Sequence, residues 1–369
     1  MKVVNFLKEN LILSIITLAT IVTSFFNPPS LQYVEFLNFK SIVILFCLMI
    51  TVTGLNSTRV FKILANKILS KVKTSRGLVV ALVFIPTILA IFITNNVAVI
   101  TFVPFIIVVL TMCDMNHLVL KTIVLCTIGC NLGGLISPIA NNQNMFLFAF
   151  YELDIFYLIK NDILLFTLSM LLLLGCCLTT KKVPVNTFDV KKSRLRVGKL
   201  VGYSLLLLLS LTIVMVTHSY YFWIVLGLVA VGIALIDKRM FKRVNYSVLI
   251  TFSVFFIFSG NMRSIEAVSS AVNSVLSGNE YLMAIFLTQA ISNTPATLLL
   301  SGFSDNVYPL IYGLNVGKNG TMIASMSGIF IHKMYVDFEN KPAKFFATFT
   351  LYAFLFLGFM TIAGFFILF

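Results

Sequence analysis

Long uncharged runs constrain the fold of this chain more than any other feature. Five consecutive leucines fill Leu205 to Leu209, and no charged residue occurs between Phe354 and Phe369. These runs are apolar on every face, whereas the strands of a membrane β-barrel alternate apolar and polar residues. Only 11% of the 369 residues are charged, against roughly 25% in average proteins. Since spanning segments must then be helices, we predict an all-α polytopic membrane protein.

The basic residues indicate how the chain is oriented. A net charge of +14 is also typical of nucleic-acid-binding proteins, but here the Lys and Arg residues cluster between the apolar runs. Short basic loops stay in the cytoplasm. Only Lys40, Lys160, Arg263 and Lys318 fall outside the clusters assigned to the cytoplasm. We therefore predict a cell-membrane protein with a cytoplasmic N-terminus, an external C-terminus and no nucleic-acid partner.

A membrane crossing needs about 20 residues, which sets the number of predicted spans. Nine segments are long and apolar enough to be spanning helices: 11–27, 39–55, 119–151, 162–180, 200–217, 221–236, 246–261, 308–332 and 344–369.

Two further apolar stretches, 77–112 and 281–304, are each interrupted at the centre by an uncharged polar triplet. The triplets are Thr94-Asn95-Asn96 and Ser292-Asn293-Thr294. Each stretch is either two full spans or a re-entrant hairpin whose tip lies at mid-membrane. We favour hairpins, because each arm is short for a span and no charge lies near either triplet.

A segment with helical periodicity that is too polar to span precedes each interrupted stretch. We predict helices on the membrane surface at 57–75, on the cytoplasmic side, and at 263–277, on the outside. The alternative in each place is an ordinary loop helix.

The order of these segments occurs twice, and sequence similarity supports a repeat. Residues 131–140 align without gaps on 315–324, with identical Asn, Gly, Ile and Ala and with a Ser facing a Thr. An odd number of crossings separates the halves, so the repeats are inverted, and inverted repeats with broken helices are typical of secondary transporters. The division is 1–180 for the first repeat, 181–199 for a basic cytoplasmic linker, 200–217 for a linking span and 221–369 for the second repeat.

The interrupted segments are suited to binding ions. Asn, Ser and Thr in hydrocarbon cost free energy unless they are paired, and a broken helix frees backbone groups. Helix N-termini and amides offer donors to an anion, while freed carbonyls and hydroxyls coordinate a cation such as sodium. The alternative is structural, because Ser and Thr also bond within their own helix and glycine also permits close packing.

Four polar runs, 94–97, 131–144, 289–295 and 315–325, resemble those of the ion transporter superfamily. Its members include citrate-transporter-like permeases, divalent anion/sodium symporters, arsenite permeases and one class of sodium/proton antiporter. The resemblance covers nearly the whole chain and is more specific for the fold than for the substrate. It implies that two hairpin tips and two unwound helices form one substrate site flanked by cation sites, on a transport domain that moves as an elevator against a scaffold.

The resemblance also implies which residues bind the substrate and ions and which helices form the scaffold. Helices 11–55 and 200–261 would supply much of the scaffold, which in related proteins often forms a homodimer, and the coupling ion would be sodium or a proton, with no other cofactor. The implied substrate or ion contacts are Thr94, Asn95, Asn96, Ser137, Asn141, Asn142, Asn144, Ser292, Asn293, Thr294, Asn315, Lys318, Thr321 and Ser325. The helix breaks would be Gly133, Gly134, Pro138, Pro295, Gly317 and Gly320. Sodium would lie near Thr94, Asn95 and Ser137, and near Ser292, Asn293 and Thr321.

This chain departs from the superfamily pattern in two places. Asn96 stands where the symporters usually have Thr, and Lys318 stands where resembling sequences usually have the glycine that Gly134 supplies in the other repeat. An ionisable residue at mid-membrane is by default a functional candidate. The hypothesis is that the Lys318 ammonium replaces a coupling sodium or serves as counter-charge to an anion. The alternative is that its side chain extends to a membrane interface.

The function that we predict is ion-coupled secondary transport of a small anion, a carboxylate or an inorganic oxyanion. A sodium/proton antiporter would need a carboxylate at mid-depth, and all acidic residues are expected at loops or helix ends, with Asp114, Asp162 and Asp305 the least certain. A membrane-embedded enzyme is disfavoured, since no catalytic motif is present and the histidines stand singly. A passive channel is disfavoured because two interrupted hairpins suit alternating access.

Overall fold

Nearly all of the molecule is helical. The computed structural model describes residues 11–58, 60, 72–185, 196–215 and 221–369, which form 17 α-helices and no β-strand. The all-α class that we predicted is therefore confirmed for the described residues. In chain order the helices are α1 (Leu11–Ser24), α2 (Gln32–Phe36), α3 (Phe39–Ser57), α4 (Ser75–Leu89), α5 (Asn95–Met112), α6 (Asn116–Gly133), α7 (Asn142–Phe150), α8 (Ile155–Leu178), α9 (Val197–Met215), α10 (Tyr221–Asp237), α11 (Tyr246–Ser264), α12 (Glu266–Leu276), α13 (Glu280–Ile291), α14 (Asn293–Ser301), α15 (Val307–Gly317), α16 (Met326–Glu339) and α17 (Pro342–Leu368).

Local sequence explains where several of these helices begin and end. The side chains of Asn38 and Thr74 accept hydrogen bonds from the first turns of α3 and α4, which satisfies backbone donors that have no partner within the helix. α16 ends at Glu339 and is followed by Asn340, which adopts the left-handed conformation that Asn tolerates better than most residues. α17 then begins with Pro342 in its first turn, where proline fits without loss of a hydrogen bond.

The chain is a multi-pass membrane protein. Among the described residues, five helical segments are long and apolar enough to cross a membrane: α3, α5, α11, α17 and Leu158–Leu178 of α8. Large apolar side chains such as Leu351 and Phe354 of α17 are exposed on the outside of the bundle, where lipid would cover them. The total of nine crossings stays a prediction.

The two interrupted stretches are both helix pairs, but the pairs differ in length. α13 and α14 have 12 and 9 residues, about 18 and 14 Å, roughly half of a hydrocarbon core. α5 has 18 residues and is long enough to cross on its own. The expectation that each arm is short for a span is therefore wrong for α5, because the helix begins immediately after Thr94 and continues to Met112.

The two helix pairs enter the bundle from opposite ends, as contacts with the residues flanking α8 show. Arg76, at the start of α4, donates a hydrogen bond to the carbonyl oxygen of Thr180, two residues beyond the C-terminus of α8. Ser301, at the end of α14, accepts a hydrogen bond from Tyr151, four residues before α8 begins. The base of the first pair is thus at one end of α8 and the base of the second pair at the other.

Glycines permit each helix pair to pack closely on the helix that follows it. Gly133 on α6 faces α4, and a Cβ at this position would lie 2.4 Å from the carbonyl oxygen of Thr87. Gly313 on α15 faces α13, and a Cβ there would lie 2.3 Å from the carbonyl oxygen of Tyr281. Small residues at such contacts let helix backbones approach each other in a membrane.

The helices that we expected to form a scaffold pack on one another. α1 contacts α11, and α3 contacts α9, α10 and α11. Their buried apolar side chains form one cluster, which continues into α7 and α14, while a second cluster surrounds α4, α5, α6, α8 and α17.

One predicted surface helix can be located and the other cannot. The segment 263–277 overlaps α12, in which Leu276 is the single buried residue. Twelve of the 19 residues of the predicted helix at 57–75 lie outside the described residues.

Candidate functional site

The tips of both helix pairs contact the breaks in the neighbouring helices. The first tip is residues 90–94 and the second is Ser292, while residues 134–141 separate α6 from α7 and residues 318–325 separate α15 from α16. We call these four segments, together with the first residues of α5 and α14, the central site.

Two equivalent hydrogen bonds in each half connect the tip of the helix pair to the break in the neighbouring helix. The backbone N–H of Asn95 donates to the carbonyl oxygen of Ala140 at 2.7 Å, and that of Asn293 donates to Ala324 at 3.1 Å. Ala140 and Ala324 are equivalent in the alignment of residues 131–140 with 315–324. Each tip therefore satisfies a backbone acceptor that its partner break exposes.

Side-chain hydroxyls form the second matched contact. The Ser137 hydroxyl donates to the carbonyl oxygen of Ile91 at 2.6 Å, and the Thr321 hydroxyl donates to that of Gln289 at 3.3 Å. Ser137 and Thr321 are the aligned Ser–Thr pair, so the two halves use equivalent residues to hold the end of the first arm of each helix pair.

Asn131 links the two halves directly. Its Oδ1 accepts hydrogen bonds from Asn95 at 3.0 Å and from Ser325 at 3.4 Å, while its Nδ2 donates to the carbonyl oxygen of Lys318 at 3.3 Å. One buried amide thus contacts the first tip and the second break. Ser327, two residues after Ser325, donates to Asn96 at 2.9 Å and adds a further contact between the halves.

Lys318 is buried at the centre of this arrangement. Only 1% of the residue is exposed, and its Nζ donates to Oδ1 of Asn315 at 3.0 Å. The same Nζ lies 3.2 Å from the position that a Cβ on Gly134 would take. The alternative that this side chain extends to a membrane interface is therefore wrong. The lysine of one break lies against the glycine that is its counterpart in the other.

The remaining predicted residues of the first half lie around the break before α7. Asn141 precedes the helix and accepts from the backbone N–H of Asn144 at 2.6 Å. Asn144 donates from Nδ2 to the carbonyl oxygens of Gly134 and Ser137, at 2.6 and 3.0 Å. Pro138 is buried within the break. Asn142 is half-buried in the first turn of α7.

The second tip has strained backbone geometry. Ser292 has φ of 79°, a conformation that few residues other than glycine adopt, and it joins α13 directly to α14. Asn293 accepts at Oδ1 from the backbone N–H of Thr294 at 2.7 Å. Pro295 follows in the first turn of α14, where proline is tolerated.

Four helices begin directly after these tips and breaks, namely α5, α7, α14 and α16. A helix N-terminus carries partial positive charge and unpaired N–H groups. Of the four residues that precede the helices, Asn141 uses its side chain as a cap, whereas Thr94, Ser292 and Ser325 do not. The central site is therefore rich in hydrogen-bond donors, as an anion site must be.

Several buried amide atoms in the central site, or within three residues of it in the chain, have no hydrogen-bond partner among the described residues. Such atoms cost free energy unless a ligand or solvent pairs with them. They include donors, which suit an anion, and acceptors, which suit a cation: Asn141 Nδ2, Asn315 Nδ2, Gln143 Nε2, Asn95 Oδ1, Asn144 Oδ1, Asn319 Oδ1 and Gln143 Oε1.

Gln289 begins the polar run 289–295, but the sequence alone predicts no role for it. Its Nε2 donates to the carbonyl oxygen of Gly317 at 2.7 Å, and its Oε1 accepts from the backbone N–H of Thr321 at 2.7 Å. The side chain thus pairs two backbone groups that the second break frees. Gly320 leaves room for it, because a Cβ there would lie within 2.1 Å of Oε1.

The predicted position of Asp162 is wrong. We expected all acidic residues at loops or helix ends, but Asp162 is the eighth residue of α8 and is 1% exposed. It interacts electrostatically with Lys318. The polar run of residues 160–162 indicated the start of a span, whereas the helix begins two turns earlier, at Ile155.

A cavity of about 300 Å³ lies apart from the central site, between α2, α7, α11 and α14. Five of its 13 lining residues are Phe, the rest are mostly small or polar, and none of the predicted site residues lines it.

Comparison with known proteins gives matches that span most of the chain. The family model described as citrate transporter matches residues 4–328, which include both helix pairs and both breaks. The uncharacterized transporter MJ0456 of Methanocaldococcus jannaschii is 30% identical over 306 residues, 82% of each chain. The inner membrane protein YbiR of Escherichia coli is 28% identical over 310 residues, 82% of this chain and 81% of the relative.

Proposed function

Because this chain belongs to the citrate transporter family, and is therefore a membrane transporter, we propose that it carries a small anion by ion-coupled secondary transport. The substrate class is a carboxylate or an inorganic oxyanion. The observation that carries the proposal is the meeting of both tips and both breaks around the buried Lys318. Membership of a transporter family, together with relatives described as membrane proteins or transporters, disfavours an enzyme.

Electrostatics favours an anion at the central site. Four helix N-termini and one ammonium group are directed to a region from which solvent is largely excluded, and positive charge in such a region attracts a negative ligand strongly. The unpaired amide donors of Asn141 and Asn315 would complete the hydrogen bonding of carboxylate or oxyanion oxygens.

A coupling cation would bind beside the anion. Hydroxyl and carbonyl oxygens are hard donors of the kind that sodium prefers, and each half holds such a pair in Ser137 with Ile91 and Thr321 with Gln289. The Asn95 Oδ1 adds an unpaired acceptor in the first half. We assign sodium to these two places, or to the first alone if Lys318 replaces the second ion.

Alternating access follows from an inverted repeat. The matched tip-to-break hydrogen bonds and the entry of the helix pairs from opposite ends support two inverted repeats with a shared site. We propose that the helix pairs and broken helices move together as an elevator against a scaffold of α1, α3, α9, α10 and α11. The scaffold would form a homodimer in the cell membrane, with the N-terminus in the cytoplasm and the C-terminus outside.

Thermal stabilisation of the detergent-purified protein tests the proposal. The panel is citrate, succinate, sulfate, phosphate and arsenite, each as the sodium and the choline salt. A ligand that binds the native state raises the melting temperature. We expect one anion to raise it saturably, with sodium required if both cation sites are sodium sites. The absence of a shift with every anion on the panel would contradict the proposal.

One observation favours a second function, a sodium/proton antiporter. Asp162 is a buried carboxylate of the kind that an antiporter needs. In that case sodium or pH alone would change the melting temperature, and no anion would add to the shift.

A further inference from the structure

Two buried charges of opposite sign lie near each other without forming a close ion pair. Asp162 on α8 and Lys318 at the end of α15 are each 1% exposed. They interact electrostatically, yet the ion pairs with an N–O distance below 4 Å in the described part of the chain do not include them. An ionised carboxylate and an ammonium both lose their hydration here, and each offsets the cost of burying the other.

The two charged groups differ in the hydrogen bonds that the protein provides for them. Lys318 has a fixed acceptor in Asn315. Asp162 Oδ2 has no hydrogen-bond partner among the described residues, and neither does the buried hydroxyl of Tyr312, which interacts electrostatically with Asp162. A buried carboxylate that has an oxygen without a donor is costly when ionised and less costly when that oxygen carries a proton.

A further titratable group beside Asp162 is Tyr308 of α15, whose hydroxyl donates to the carbonyl oxygen of Asn161, the residue before Asp162, and whose ring packs on Tyr312. The other basic residues on or beside α8 are distant from Asp162 or exposed. Arg76 of α4 and Lys121 of α6 contact Thr180, at the opposite end of α8. Lys160, on α8 itself, is exposed. The remaining titratable groups on these helices include the buried thiols Cys126 and Cys130 of α6, Tyr352 of α17, which interacts with Cys176 and Cys177, and Tyr281, whose ring packs on Tyr312.

We propose that Asp162 is the counter-charge of Lys318 and the place where a proton binds when an anion binds. In the absence of an anion, ionised Asp162 balances the ammonium of Lys318. When an anion reaches Lys318, the region gains a negative charge that burial disfavours. A proton taken up by the Asp162 carboxylate restores the balance, and Lys318 then pairs with the anion. The carrier would thus move one proton in the same direction as each anion.

This inference rests on the proposed transport of an anion, and proton uptake tests it separately. An anion is added to the purified protein in weakly buffered choline medium, above the ionisation range of the anion, and a pH-indicator dye reports the protons removed from solution. Citrate, succinate and sulfate are the probes. We expect the wild-type protein to take up one proton per bound anion, and its affinity to rise up to about tenfold for each unit decrease in pH.

Asp162→Asn should keep anion binding but lose both the proton uptake and the pH dependence. Asp154→Asn, at an exposed position just before the same helix, is the matched control and should behave as wild type. Anion binding without proton uptake in the wild type, or normal uptake in Asp162→Asn, would overturn the inference and leave anion transport standing.

Melting temperatures test the pair even if none of the three probes binds. Asp162→Asn and Lys318→Gln should each lower the melting temperature, because each leaves one buried charge without its partner. The double variant should recover most of the loss. Additive losses in the double variant would overturn the assignment of Asp162 as the counter-charge.

Discussion

The two halves of the central site are built alike and differ in one decisive place. Both use an N–H at the tip to bond an alanine carbonyl in the break, and both use a hydroxyl to bond a carbonyl at the end of the first arm. At the aligned position, however, the first break has Gly134 and the second has Lys318, whose Nζ lies against that glycine. The matched hydrogen bonds fix the backbone in both halves, and we propose that the two halves differ in function at this one unmatched position.

Lys318→Gly makes the second break resemble the first, and we expect this change to have the largest effect. Removal of one partner from a buried charged contact costs about 2–5 kcal/mol of binding, which is a loss of roughly 30- to 5,000-fold in affinity for the anion. The shift in melting temperature across an anion titration measures it. Lys160→Gln, at an exposed lysine, is the control. Unchanged affinity and ion dependence in Lys318→Gly would mean that the mismatch has no function.

The packing glycines should show the opposite behaviour, with equal effects in both halves. Gly133→Ala and Gly313→Ala each force a Cβ against a carbonyl oxygen, and overpacking of this kind costs about 1–3 kcal/mol. Thermal unfolding of each variant is the measurement. Gly358→Ala on α17 is the matched control, since its Cβ meets nothing within 4 Å. Wild-type stability in either of the two variants would show that the close helix contact at that glycine does not stabilise the protein.

The tip asparagines should differ in their effect on anion binding. Asn95→Ala removes the hydrogen bond to Asn131, the amide that contacts both halves, and should weaken binding by about 1–3 kcal/mol. Asn293 bonds only its neighbour Thr294 through its side chain, so Asn293→Ala should cost about 0.5–1.5 kcal/mol. Isothermal titration with the stabilising anion compares the two. An equal or larger loss in Asn293→Ala would contradict the role of Asn131 as the link.

The smallest expected effect concerns the paired hydroxyls. Ser137→Ala and Thr321→Ala each remove one hydroxyl that bonds a carbonyl, worth about 0.5–1.5 kcal/mol. If sodium binds in the first half and Lys318 replaces it in the second, only Ser137→Ala should raise the sodium concentration needed for half-maximal stabilisation, by about 2- to 10-fold. Thr321→Ser keeps the hydroxyl and is the control for the second half. Equal sodium dependence in both Ala variants would indicate two sodium sites.

Part of this arrangement could be predicted from the sequence because it depends on local properties. The polar triplets at 94–96 and 292–294 stand out within apolar runs. In the structure, α5 begins within the first triplet, after the five residues of the first tip, and α13 ends and α14 begins at the second. The alignment of residues 131–140 with 315–324 likewise indicates both breaks and the unmatched Lys318 from the sequence alone.

The rest depends on contacts between segments far apart in the chain. Gln289 pairs backbone groups of Gly317 and Thr321, about 30 residues away, so its role has no local pattern. Asp162 follows two other polar residues and was assigned to a helix end, although α8 had already begun and turns this side chain inward. Periodicity does not report which charges meet once the helices pack.

Uptake by the purified protein in liposomes tests the central claim most directly. The internal solution lacks the labelled anion, and a sodium or a proton gradient is imposed in separate experiments. We predict saturable accumulation of the anion that stabilises the wild-type protein, driven by one of the two gradients and abolished in Lys318→Gly. Flux that rises without saturation, or accumulation that persists in Lys318→Gly, would contradict a gradient-driven anion carrier centred on Lys318.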